Sequence, residues 1–181
     1  MANTELNLDW LISTQGDFLF EFGIDRDKII SDYATWKQTS SSNSVIDYFC
    51  ELLRQASLSN IKNANTEEEF YNSKLQLDIK MLEFLTRTKE NENYLSGQIH
   101  FDKLMISRLT LPFKFDVQIN SDNCCSYCNK KNKLIFSFEK VIEKKYLPFN
   151  KCKREDLCTC TYSIIPIYDE NGKLISQDVW K

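Results

Sequence analysis

The cysteines are the residues in this chain whose type and spacing are best suited to chemistry. Six of the seven fall between Cys124 and Cys160: Cys124-Cys125-Ser126-Tyr127-Cys128, a gap of 23 residues, then Cys152, Cys158 and Cys160. Cys125-x-x-Cys128 has the spacing at which a tight turn aims two sulfurs at one ion. A structural zinc takes four thiolates or imidazoles in a tetrahedron, so a second arm has to come from Cys152, Cys158 and Cys160. Cys158 and Cys160 share a face if their segment is extended, and Cys152 can instead pair with either. The expected ligands are therefore four of Cys125, Cys128, Cys152, Cys158 and Cys160, and the expected cofactor is structural Zn2+. Adjacent cysteines in a turn point apart, so at most one of Cys124 and Cys125 is expected on the ion. Such a site contributes about 10 kcal/mol or more of apparent folding free energy in small modules.

Other uses of these thiols fit less well. A redox Cys-x-x-Cys usually opens a helix beside a βαβ unit, and no such unit is recognisable. Cys50 stands among Val45, Ile46, Phe49, Leu52 and Leu53 and reads as a buried small hydrophobe. His100, the single histidine, precedes the clustered cysteines by 24 residues and reads as a packed or surface residue. One histidine completes neither a Ser-His-Asp set, nor a Cys-His pair, nor a histidine-based nuclease site near the cysteines. With 4 glycines there is no phosphate-cradling loop. An all-thiolate zinc has no open position for water. Glu67, Glu68, Glu69 and Asp78 read as a solvated face matched to a helix dipole. A non-enzyme is expected.

The gap between the two cysteine arms is basic. Lys130, Lys131, Lys133, Lys140, Lys144, Lys145, Lys151, Lys153 and Arg154 oppose only Glu139 and Glu143, interleaved with Phe136, Phe138, Tyr146 and Phe149. Lysines can hold a phosphate backbone while aromatics stack on bases, which makes Lys130, Lys131, Lys133, Lys144, Lys145, Lys151, Lys153 and Arg154 candidate nucleic-acid contacts. The same lysines also keep a small sheet soluble. Because the whole chain is acidic, at net charge −3, a protein-interaction adaptor ranks ahead of a zinc-finger-like nucleic-acid binder. The charge is uneven: residues 1–100 hold 9 Lys/Arg against 16 Asp/Glu, and residues 101–181 hold 14 against 10.

The elements that must position these residues divide the chain at about residue 110. The fold expected is α+β: an acidic helical bundle over 1–110, then a zinc-clipped antiparallel sheet module over 111–181. Leu6–Ile12 starts a helix that Gly16-Asp17 is expected to break, leaving Phe18–Phe22 as a short strand or a helical turn. Asp25 caps a helix marked by Ile29, Ile30, Tyr33 and Trp36. The polar run 39–44 is a loop, Ser44 starts the next helix, and Ser57–Asn65 reads as a connection. Thr66-Glu67-Glu68-Glu69 is a capping box opening a helix to about Thr88, with Leu75, Leu77, Ile79, Met81, Leu82, Phe84 and Leu85 apolar on more than one side. Lys89–Asn93 reads as a loop, and a helix is expected after Phe101, stopped by Pro112. Phe113, Phe115, Val117 and Ile119 alternate with polar residues as a half-buried strand. Leu134–Phe138 and Ser163–Tyr168 are further strands, and Asp169–Gly172 is the best turn.

The succession of the strand Phe115–Ile119, Asp122, Cys125-x-x-Cys128, Lys133–Phe138, Leu147-Pro148-Phe149 and Cys158-Thr159-Cys160-Thr161 resembles the C-terminal cysteine motif of phage head-morphogenesis (minor capsid) proteins and related bacterial proteins. The resemblance covers residues 115–162. In that motif a histidine precedes the final Cys-x-Cys. Here Asn150-Lys151-Cys152 and a longer loop replace it, which implies Cys152 as the ligand in the histidine's place.

Apolar residues make up 42% of the chain, ample for a core, while no run reaches the ~18 needed to span a bilayer. No basic start followed by an apolar stretch marks a secretory signal. A cytoplasmic protein is expected, in a compartment that keeps thiols reduced and steers clustered cysteines towards metal.

Overall fold

The computed structural model describes residues 6–42, 44–84, 89–121, 124–154 and 158–177. The architecture is α+β, helices first and a three-stranded antiparallel sheet after them. The helices are α1 (Leu8–Glu21), α2 (Arg26–Thr39), α3 (Val45–Asn63), α4 (Glu67–Phe84) and α5 (Lys89–Thr110). They are followed by β1 (Phe115–Asn120), α6 (Ser126–Asn129), β2 (Ile135–Ser137), α7 (Phe138–Lys144) and β3 (Thr161–Pro166).

Side-chain caps start the helices where the sequence indicates. Asp25 accepts from the Lys28 N–H at 2.8 Å, Ser44 from that of Ile46 at 3.2 Å, and Thr66 Oγ1 from that of Glu69 at 3.0 Å. Leu11, Leu19, Ile29, Phe49, Leu52, Leu53 and Leu77 form the main core between α1 and α4, where the buried Tyr48 hydroxyl donates to the Ile29 carbonyl at 2.7 Å.

Four expectations about element limits fail, each for a physical reason. Helix α1 runs through Gly16-Asp17 and takes in Phe18–Glu21, because burial of Leu11 and Leu19 on one face outweighs the ~1 kcal/mol that a mid-helix glycine costs. The stop is Gly23, at φ +73°, with Ile24 N–H on the Leu19 carbonyl and Gly23 N–H on that of Phe20. Helix α3 extends to Asn63, absorbing most of the expected connection. Its last turns carry Ser57, Ser59 and Asn60, which look like loop residues, yet Asn60 Nδ2 donates to the Phe70 carbonyl at 3.1 Å and ties α3 to α4.

The third and fourth failures concern α5 and α7. Helix α5 starts at Lys89 rather than after Phe101, so no loop occupies 89–93. Its buried positions, Leu95, Ser96, Ile99, Asp102 and Leu104, mix polar with apolar residues, which hides the helical period from a reading of hydrophobicity. The second strand ends at Ser137, whose hydroxyl accepts from the Lys140 N–H, and Phe138 opens α7. The expected reach of α4 through Leu85 to Thr88, Asn43 of the polar run, and Asp122 lie outside the described residues.

Strand β1 is central, in the order β2-β1-β3, with Val117 opposite both Phe136 and Ile164. Its alternation is as expected: Phe115, Val117 and Ile119 are buried. Phe115 and Val117 pack with Val141 of α7 and Leu104 of α5. The expected Asp169–Gly172 turn closes a ribbon bridged at Tyr168–Leu174, with Gly172 at φ +74°. Helix α5 is shared by the two regions. Asp102 meets Lys74 of α4, while Gly97 lies against the Leu147-Pro148 loop, where an added Cβ would sit 3.3 Å from Pro148 Cδ.

Candidate metal centre and basic groove

Three segments deliver the cysteines. Cys125 is the N-cap of α6 and Cys128 lies in its single turn, three positions on, so both sulfurs turn the same way. The knuckle is closed behind them: Ser121 Oγ donates to the Cys128 carbonyl at 2.8 Å, Lys133 N–H to the Ile119 carbonyl at 2.8 Å, and Lys133 sits at φ +64°. Cys152 ends a tight turn from Phe149, its N–H on the Phe149 carbonyl at 3.0 Å. Cys158 and Cys160 lead into β3 with both side chains buried and Thr159 exposed between them, which is the shared face expected of an extended Cys-x-Cys.

The sulfurs converge. Those of Cys125, Cys128 and Cys152 lie within 4.8 Å of one another, as do those of Cys128, Cys158 and Cys160. Cys125 Sγ is 3.5 Å from Cys128 Sγ and 4.0 Å from Cys152 Sγ. All five cysteines singled out by spacing are in the cluster. The sixth, Cys124, also reaches the cluster: its sulfur is 3.3 Å from Cys160 Sγ and 3.0 Å from Thr159 Oγ1. No sequence signal distinguishes that arrangement from a Cys124 turned to solvent. Cys50 lies apart in the helical core, as expected.

Burial and backbone donors pull the thiols of the cluster in opposite directions. Burial pushes the thiols of Cys128, Cys152 and Cys160 up. The backbone N–H of Lys153, 3.3 Å from Cys125 Sγ, and those of Cys128 and Tyr127 pull the Cys125 thiol down to about 6. At Cys158 burial opposes ionisation, but the N–H groups of Cys160 and Phe149, with the thiols of Cys160 and Cys152, together outweigh it and the thiol is lowered. Backbone donors aimed at sulfur are what a thiolate needs around it, and a buried cation would supply the rest. The cluster can hold a metal ion. His100 is not one of its ligand groups: burial depresses its imidazole to about 4, it stacks edge-on to Tyr162 at 5.6 Å, and it hydrogen-bonds the Cys160 backbone.

The candidate nucleic-acid contacts separate. Lys131, Lys144 and Lys145 line one groove of about 320 Å³ with Tyr127, Phe136, Tyr146 and Phe149. Its walls are two aromatic pairs: Phe136 stacked on Tyr146 at 4.6 Å, and Tyr127 edge-on to Phe149 at 5.9 Å. Lys144 pairs with Glu143 at 2.5 Å, and the Lys145 ammonium lies 4.8 Å over the Phe101 ring. Lys130, Lys133, Lys151, Lys153 and Arg154 do not line the groove; Lys153 and Arg154 instead turn backbone N–H groups to Cys125 and Cys152.

Glu67, Glu68 and Glu69 are exposed at the start of α4, as expected, whereas Asp78 is not part of a solvated face. It is buried, and with Asp102 it clasps Lys74 Nζ at 2.7 Å from each. Burial, opposed by Lys74, pushes the Asp102 carboxyl up to about 6.

No family model matches the chain, and no curated protein or solved structure matches it. Among the described residues no helix is long and apolar enough to cross a membrane.

Proposed function

We propose that this is a non-catalytic interaction protein, an adaptor or assembly factor of the cytoplasm, whose C-terminal module is held together by structural zinc. The carrying observation is the burial of the sulfurs: Cys128, Cys152, Cys158 and Cys160 are all buried, and the lone imidazole engages a backbone carbonyl and a ring rather than the cluster. An ion ringed by buried thiolates offers no position to substrate or water, so its contribution is to stability, and the chain acts through its surfaces. A protein partner is favoured by exposed apolar side chains on the acidic helical region. Leu58 and Ile61, three positions apart on α3, are 62% and 61% exposed, and Phe20 of α1 is 69% exposed. The resemblance of residues 115–162 to the minor-capsid cysteine motif bears on the build of the module and not on the choice of partner.

The test has two arms. Elemental analysis of the purified full chain should find tightly held zinc, and its absence from a folded protein would overturn the structural-metal reading. A partner retained from cells after nuclease treatment and at high salt, and lost in a Leu58→Glu/Ile61→Glu double variant that keeps its zinc, is the expected outcome of the second arm. Retention that depends on nucleic acid would overturn the protein-partner reading.

The groove favours a second reading, a nucleic-acid contact. Three lysines beside two aromatic pairs suit a single strand, with phosphates on the ammonium groups and bases on the rings. Reversal of Lys131, Lys144 and Lys145 to glutamate should then abolish binding of a random single strand and leave zinc in place. Wild-type protein with no salt-sensitive binding in a filter assay would remove this reading.

A further inference from the structure

A tetrahedral zinc with metal–sulfur bonds of about 2.3 Å sets its four sulfurs about 3.8 Å apart. Six cysteines meet here, more than one tetrahedral ion takes. From adjacent positions Cys125 and Cys124 meet different partners, the first Cys128 at 3.5 Å and Cys152 at 4.0 Å, the second Cys160 at 3.3 Å. Cys128, 0% exposed, is the member common to both sulfur triads. Cys158 is placed similarly: its sulfur is within 4.8 Å of those of Cys128 and Cys160, and it is hydrogen-bonded to Cys152. Cys128 and Cys158 thus both stand next to Cys152 and Cys160, beyond which lie Cys125, against Cys152, and Cys124, against Cys160.

Resting on the reading that this cluster binds zinc, we propose that it holds two ions. Cys128 and Cys158 bridge them, Cys125 and Cys152 complete one tetrahedron, and Cys124 and Cys160 complete the other. Each ion then has four thiolates, two of them shared. The six thiols release six protons on loading, and two divalent cations among six thiolates leave a net charge of −2. Backbone N–H groups already aimed at Cys125, Cys152 and Cys158 from Lys153, Arg154, Cys160 and Phe149 offset that charge. A single ion would use four sulfurs and leave two thiols of the same cluster without a metal. Sharing also explains why adjacent cysteines, which cannot both face one ion from a turn, both reach the cluster.

The ratio of zinc to protein in the full-length chain, by native mass spectrometry and elemental analysis, tests this directly. Two ions per chain are expected, falling to about one in Cys124→Ser, a half-exposed position whose change leaves the first tetrahedron intact. One ion per chain, unaffected by Cys124→Ser, would overturn the two-ion cluster while leaving structural zinc standing. No ion would overturn both. Cobalt substitution reads the bridges: with two cobalt ions sharing thiolates, the paramagnetic resonance signal should grow with the first equivalent and decline with the second. Two equivalents giving additive signals would overturn the sharing.

Discussion

The two halves of this molecule are held together by different physics. The helical region has a conventional core, in which Leu11, Leu19, Phe49, Leu52, Leu53 and Leu77 are buried against one another and aromatic rings such as Phe84 pack around them. In the sheet module, among the described residues, four of the seven buried in the cluster beneath the knuckle are cysteines, beside Ile119, Leu147 and Phe149. Burying a leucine repays the ordering of the chain through the apolar area it removes from water. Thiols that ionise to bind a metal, as proposed for this cluster, would repay their burial only with a cation there to meet them. The difference teaches where each half is vulnerable: the first to lost volume, the second, with the proposed ion in place, to lost charge.

If the cluster carries the ion proposed for it, the largest effect should come from stripping that ion. A strong chelator at neutral pH is expected to remove about 10 kcal/mol from the module and to unprotect the amides of β1 and β3 in hydrogen exchange, while the helical circular dichroism of α1–α4 persists. Simultaneous loss of both signals would merge the two halves into one cooperative unit and break the comparison.

Phe49→Ala asks the converse question. This fully buried ring stands edge-on to Phe84 at 5.1 Å, and its truncation should cost about 3–5 kcal/mol of the helical region's stability without changing metal content. Lys74→Met should cost a similar ~3–5 kcal/mol, read as a shift in the urea midpoint of the helical signal, because it leaves the buried Asp78 and Asp102 carboxylates without their cation.

A smaller effect is a pH dependence confined to the helices. The Asp102 carboxyl, raised to about 6 chiefly by burial, holds its proton in the folded state over a range where an unfolded aspartate has lost it. The folded state therefore binds more protons between about pH 4 and pH 6, so this group's contribution is full below that window and lost as pH rises through it. Asp102→Asn should flatten the slope by about 2–3 kcal/mol across the window, measured as the difference between variant and wild type so that protonation of the cysteines cancels. A slope unchanged by the substitution would place the titration elsewhere.

The smallest expected effect sharpens the contrast between cysteines. Cys50→Ala, in the helical core, should cost about 1 kcal/mol and leave the metal count untouched, because that thiol serves as a hydrophobe. Cys128→Ser, chemically a lesser change, should abolish metal retention.

The sequence by itself determined the features that arise within a few residues. The caps at Asp25, Ser44 and Thr66, the alternation of β1, the Asp169–Gly172 turn and the Cys125-x-x-Cys128 arm are local, since each depends on backbone groups two to four positions away. The separation into helices and sheet was legible for the same reason. Where a segment's period was masked by small polar or buried polar residues, as in the last turns of α3 and along α5, local reading lost the helix that tertiary contacts sustain. Convergence across long chain separations was decided by tertiary structure alone. The turn of Cys124 towards Cys160, the assembly of Lys131, Lys144 and Lys145 into one groove while Lys130 and Lys133 stay outside it, and the burial of Asp102 against Lys74 all depend on which segments pack together. A side chain's type states what it can bind, but its partner is fixed by loop closure and by the packing of α5 against both α4 and the sheet, neither of which leaves a periodic trace in the chain.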